Sequence, residues 1–215
     1  MTTVYPDYLN ALLAGDQANC RRMVRALIEN GIPVHTLYTD YFQRALYQVG
    51  ELWEGNRISV ADEHLATAIT ESLMPETYPV LFAADHIGRS AVVSCVANEY
   101  HQIGGKMVAD TFEMHGWNSY FLGANTPVAD LLELVAAKKP DVVALSLTVF
   151  FGLGHLLDAI SALGESFPAL PVWVGGQAFR WGAHEQVSAR PNAVLLGSLT
   201  DLETRITAWE APHAG

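Results

Sequence analysis

The sequence is poor in positive charge. Twelve Lys and Arg face 23 Asp and Glu, a formal net charge of −11 with His neutral. Proteins that bind nucleic acid draw most of their affinity from basic side chains that neutralise phosphates. The one basic cluster here, Arg21, Arg22 and Arg25, reads as a solvated helix face. Direct nucleic-acid binding is therefore not expected. Cysteine is scarce as well. Cys20 and Cys95 have no metal-ligand spacing and read as small apolar core residues in a reducing compartment. Long apolar runs are missing: stretches such as 142–147 are far too short to span a bilayer. The segment from Met1 to Asp7 lacks the basic-then-apolar pattern of a secretory signal. A cytoplasmic chain that stays off membranes is the expectation.

What is present is apolar: half of the 215 residues, enough for one large core or two small ones. The first 85 or so residues read as helices alone. Asp16 is placed to cap a helix over 17–30, and Gly31 to stop it. Pro33 opens a longer helix to Glu54, with Leu37, Tyr41, Ala45, Val49 and Leu52 at helical spacing. Ser59 with Asp62 three residues on gives a capping box for a third helix, ending near Met74, and a short fourth follows over 76–84.

From Arg89 strands and helices alternate. Strands are expected at 91–96, 117–122, 142–147, 172–174 and 193–196. Helices are expected at 105–115, from Pro127 with Thr126 as its cap, at 153–163 and at 199–208. Alternation of this kind demands a parallel sheet with helices on both faces. The expected architecture is therefore α plus α/β: a four-helix bundle over 1–88, then a flavodoxin-like, doubly wound five-stranded parallel sheet over 89–215.

Ligands of such sheets bind beyond the carboxyl ends of the strands, and three short motifs fall there. Glu99-Tyr100-His101-Gln102-Ile103-Gly104 follows the first strand, Ser146-Leu147-Thr148 the third, and Gly175-Gly176 the fourth. Taken singly, a loop histidine or a Gly-Gly pair is common in turns. The joint spacing carries the information: 41 residues lie between Gly104 and Ser146, and 26 between Thr148 and Gly175.

With these motifs at these intervals the chain resembles the cobalamin-binding domains of methionine synthase, the corrinoid mutases and the CarH-type light-dependent regulators. Their fingerprint is D-x-H-x-x-G, S-x-L and G-G. Glu99 stands where aspartate is usual, a change that recurs in the CarH-type branch, and Thr148 stands where leucine is usual. The resemblance implies that His101 gives an imidazole nitrogen to cobalt and displaces the cofactor's dimethylbenzimidazole. Glu99 then takes the other ring N–H. Gly104, Gly105, Gly175 and Gly176 leave room for the displaced nucleotide tail, and Ser146 hydrogen-bonds its benzimidazole nitrogen, with Thr148 beside it.

In the helical part Trp53, nine intervening residues, then Glu63-His64 reproduces the W-x9-E-H signature of the CarH-type sensors. By this resemblance the bundle caps the upper corrin face, Trp53 covers that face, and Glu63 and His64 approach an adenosyl group. Adenosylcobalamin is favoured over methylcobalamin. Where some of these sensors carry a second cobalt-capturing histidine after the tryptophan, this chain has Glu54.

Roughly 16 residues precede the first strong helix, too few for a helix-turn-helix, and no barrel is present in which a radical rearrangement would run. The expected function is a standalone cobalamin light sensor, not an enzyme. Photolysis of its Co–C bond would shift the cap and signal to an unidentified output protein, with a homo-oligomer as the expected state. The alternative is a corrinoid carrier subunit that shuttles a methyl group for a separate methyltransferase. The photocobilin branch resembles this layout and adds a bilin such as biliverdin. Tyr38, Tyr41, Phe42 and Tyr47 either line a pocket for one or form bundle core and rim. His35, His86, His115, His155 and His184 show no paired spacing and read as surface or loop.

Overall fold

Helices begin where the sequence supplies a capping oxygen. The Asp16 carboxylate accepts from the Asn19 N–H at 3.0 Å and opens α2 (Gln17–Glu29), and Gly31 ends it at φ +78°. Ser59 and Asp62 form the reciprocal box that opens α5 (Val60–Leu73). This computed structural model describes residues 5–210. Residues 1–4 of the segment read for a secretory signal lie outside them. The chain divides into two compact units after Ala83.

The first unit adds α1 (Tyr5–Leu13), which the sequence reading did not contain, ahead of α2. The long second helix of that reading is present but not uniform. It runs as α3 (Val34–Thr36), a π-helical stretch Leu37–Gln43, and α4 (Arg44–Glu54). Within the π stretch the Thr39 hydroxyl donates to the His35 carbonyl at 3.0 Å. After α5 come a 3₁₀ turn (Met74–Thr77) and α6 (Tyr78–Leu81).

Tyr8, Leu12, Val24, Leu37, Tyr38, Phe42, Val49 and Leu73 are buried as this unit's core. Tyr38 stacks on Phe42 with centroids 5.8 Å apart, and its hydroxyl meets Thr77 Oγ1 at 3.1 Å. Both rings are fully buried and belong to the bundle core. Tyr41 and Tyr47 are half-buried. The basic cluster is not simply solvated: Arg21 and Arg25 both close on Glu76, at 3.2 and 2.8 Å.

The second unit is β1 (Ser90–Cys95), α7 (Ile103–Met114), β2 (Asn118–Phe121), α8 (Val128–Lys138), β3 (Val142–Ser146), α9 (Leu153–Ser166), β4 (Val172–Gly175), α10 (His184–Ser188), β5 (Ala193–Leu195) and α11 (Leu199–Glu210). Short 3₁₀ turns, Phe150–Gly152 and Gln177–Trp181, follow β3 and β4. The strands are all parallel in the order β2-β1-β3-β4-β5. Helices α8 and α9 cover one face through Leu131, Val135, Leu156 and Ile160 against Val92, Val143, Leu145 and Val174. On the other face Phe112 of α7 stacks on Trp173 at 5.7 Å, and Trp209 of α11 meets Trp173 edge-on at 5.8 Å.

One local expectation fails. Pro127 is the residue before α8 and not its first, because its ψ of 143° is extended, and no side chain caps the helix. The Thr126 N–H instead donates to the Cys95 carbonyl. Strand order reverses between β1 and β3, and the register sets Cys95 beside Ser146 and Ser146 beside Gly175. The ends of all three motif-bearing strands therefore form one row at the switch point, the place where open α/β sheets take ligands.

Candidate functional site

β1 delivers the chain to a loop, 96–102, before α7 begins. Within it Glu99 is 2% exposed, and a buried carboxylate must be answered by donors. Four donors answer it. Oε1 accepts from His101 N at 2.9 Å and sits 2.6 Å from His101 Nδ1. Oε2 accepts from the backbone N–H groups of Thr148 and Val149 at 2.8 and 2.9 Å. Burial pushes the Glu99 carboxyl up, but the hydrogen bonds from the His101 ring and from three backbone N–H groups outweigh it. The net result is a carboxyl held below its ordinary range.

The consequence falls on the imidazole. An ionised Glu99 accepts a hydrogen bond from Nδ1–H and keeps the proton on that nitrogen, so in the neutral ring Nε2 carries the lone pair. The ring is half exposed, at 50%. Among the described residues no three His, Cys, Asp or Glu side chains gather as a metal site. One oriented imidazole is what a cobalt already held by four corrin nitrogens takes from a protein, so the donor set fits such a group. Thr148 serves Glu99 through its backbone, and the threonine in place of leucine leaves that contact intact.

The glycines divide into two kinds. A Cβ on Gly104 would lie 3.7 Å from Ser146 Oγ, an ordinary contact that leaves space beside the buried serine. Gly175 lies close under the Leu196 carbonyl, at 3.2 Å from such an atom. Gly105 and Gly176 are demanded by the fold. A Cβ on Gly105 would press on Cys95 Sγ at 3.0 Å and Phe121 at 3.1 Å. Gly176 has φ +126°, and a Cβ there would meet the Leu147 carbonyl oxygen at 2.1 Å.

Trp53, Glu63 and His64 belong to the helical unit. Trp53 lies one residue before the end of α4 and is 45% exposed. Glu63 closes the first turn of α5 and His64 follows it, so all three stand at one end of the α4–α5 hairpin. Glu63 accepts from Thr67 Oγ1 at 3.0 Å and lies 3.6 Å from His64 Nε2. Glu54 is exposed.

The sequence reading missed an apolar rim. Tyr100, Val149, Phe150, Phe151 and Trp181 are exposed on the loops that leave β1, β3 and β4, with Phe151 at 97%. A run of Val149, Phe150 and Phe151 where a polar loop is expected was the available signal. Of the five histidines without paired spacing, His155 is exposed on α9, whereas His35 is half-buried in α3 and is neither surface nor loop.

The B12 binding domain family matches residues 89–202. The chain belongs to that family. A second B12 binding domain model matches residues 5–75, the helical unit. The chain is thus a cobalamin-binding protein, and no catalytic domain is identified in it. In sequence it is similar to the HTH-type transcriptional repressor CarH of Myxococcus xanthus, 29% identical over 184 residues, which cover 84% of this chain and 60% of the relative. The HTH-type transcriptional repressor CarA of the same organism is 31% identical over 135 residues, 63% of this chain and 45% of the relative. This B12-binding chain therefore spans less than two thirds of either.

In fold it is similar to the monomethylamine corrinoid protein of Methanosarcina barkeri, with a TM-score of 0.83 at 14% identity over 94% of this chain and 96% of that one. The methanol:cobalamin methyltransferase complex MtaBC of Methanosarcina barkeri gives 0.53 at 18% identity, over 94% and 77%. No helix among the described residues is long and apolar enough to cross a membrane.

Proposed function

We propose that this B12-binding protein is a light sensor that holds adenosylcobalamin, with His101 as the lower axial ligand. The observation that carries the sensor reading is the Trp53, Glu63 and His64 set, gathered at one end of the α4–α5 hairpin in the spacing of the CarH-type sensors. Similarity to CarH over 84% of the chain supports it. When bound, adenosylcobalamin supplies a Co–C bond that visible light cleaves.

The chain's residues then have distinct tasks. Glu99 fixes the tautomer and direction of the His101 ring. Ser146, Gly104 and Gly175 receive the nucleotide tail, and the apolar rim of Tyr100, Phe150, Phe151 and Trp181 suits a broad macrocycle. Trp53 offers a flat apolar contact to the upper group, and Glu63 and His64 offer polar ones. A change in bound state shifts a conformational equilibrium only through differential contacts, and the upper group is where contacts change on illumination. At a net charge of −11 the output runs through a protein partner.

The test is absorption and size-exclusion scattering of the adenosyl- and hydroxo-loaded protein before and after green light. The expected result is photolysis with a change in radius or oligomeric state in the adenosyl form alone. Photolysis without a structural change would instead favour a corrinoid carrier for a separate methyltransferase.

A further inference from the structure

The loop that carries His101 is held by more than the carboxylate of Glu99. Asn98, directly before Glu99, is in the left-handed region at φ +61°, a conformation asparagine tolerates better than most residues. Its N–H donates to Asn125 Oδ1 at 2.8 Å. Asn125, itself left-handed at φ +53° in the loop between β2 and α8, returns its own N–H to the Glu99 carbonyl at 2.8 Å. The Asn98 amide nitrogen lies 2.9 Å from Nε2 of His155 on α9. None of these three residues belongs to a motif of the sequence.

We propose that Asn125 and His155 are positioning residues for the His101 imidazole, acting through Asn98 and the Glu99 backbone. Glu99 is gripped at its carboxylate by the loop after β3 and at its carbonyl by the loop after β2. Asn98 is gripped at its N–H by Asn125 and at its side chain by α9. The turn is thereby tied to elements on both sides of β1, and the ring direction it sets is fixed before any ligand arrives. Preorganisation of this kind raises affinity by lowering the ordering cost of binding. The two Asn98 hydrogen bonds are exposed and each bond is individually modest, so the effect is on the direction of the ring and not on global stability.

The inference rests on His101 as the lower ligand only for its consequence in cobalamin binding, and its first test avoids cobalamin altogether. In the cofactor-free protein, NMR reads the exchange of the His101 Nδ1–H with solvent. Asn125→Gly keeps the left-handed backbone and loses Oδ1, and Asn125→Asp restores an oxygen at the same place. His155→Ala removes the partner of the Asn98 amide. Asn125→Gly and His155→Ala are each expected to speed exchange roughly threefold or more, the scale of one modest hydrogen bond. Asn125→Asp is expected to stay near wild type.

The same Gly and Ala variants are expected to bind hydroxocobalamin about tenfold more weakly, the low end for partners that orient a metal ligand. Unchanged exchange in both variants, at unchanged Tm, overturns the positioning role. Exchange that rises equally in Asn125→Asp also overturns it, because the acceptor oxygen then does not matter. His101→Ala with an unchanged cobalamin spectrum would overturn the ligand assignment separately, leaving the exchange result to decide positioning.

Discussion

The Glu99 carboxylate accepts four hydrogen bonds, three of them from backbone N–H groups. This makes the position intolerant of its closest isostere. Glutamine keeps the shape, but its NH2 group either meets the two N–H groups of Thr148 and Val149 or, turned the other way, meets the His101 N–H and drives the ring to its other tautomer. An unsatisfied buried pair of this kind costs about 2 kcal/mol, and Glu99→Gln is expected to lower unfolding free energy by that amount in urea titrations. Cys20 and Cys95 are the opposite case, inert by burial. Burial, with the Asp16 charge adding to it, pushes the Cys20 thiol up to about 11. Burial and the Glu99 charge push Cys95 up to about 12. A raised thiol pKa keeps the unreactive protonated form through neutral pH, and thiolate appears only as pH climbs toward those values. A thiol reagent at pH 8 is expected to titrate no cysteine in the native protein and two after denaturation.

At the scale of elements, α5 was legible because a capping box is a local signal, with Ser59 and Asp62 three residues apart. Its removal by Ser59→Ala is expected to cost the helical unit about 1 kcal/mol, measurable as a lower midpoint in thermal unfolding followed by helical circular dichroism. The π stretch was not legible, since Val34, Leu37, Tyr38, Phe42, Ala45 and Val49 keep one buried stripe through it. Nor was α1, whose nine residues are too few for periodicity to stand out and whose helicity rests on tertiary burial of Tyr8 and Leu12. In the site, the residues with chemistry in their side chains were readable from spacing. The grips on Glu99 and Asn98 were not, because a backbone N–H from Thr148, or a carbonyl bound by Asn125, has no sequence signature. Gly176 was read as room for a ligand, and its φ and the Leu147 carbonyl give it a structural duty first.

At the scale of the whole chain, the two units differ in how far apart in sequence their partners lie. In residues 5–83 helices pack on helices joined by short turns. In residues 84–210 β1 pairs with the central strand β3, so Ala91 meets Val142 and Cys95 meets Ser146. Parallel pairing of this kind has a high loop-closure cost and slows folding, whereas local helical contacts form early. Refolding from denaturant is therefore expected to proceed in two kinetic phases. The fast one would be read by helical circular dichroism and the slow one by fluorescence of Trp117 and Trp173, which are buried in the sheet unit. A single phase by both probes would show that the two units fold as one cooperative body. The order of synthesis adds to this. The helical unit leaves the ribosome first and has the faster route to its core, while the sheet waits for β3 before its central pair exists. A nascent chain arrested before residue 142 would thus carry a formed bundle and a strongly apolar β1 that has β2 on one edge and an open edge where β3 belongs, which makes that interval the chain's window of exposure to aggregation.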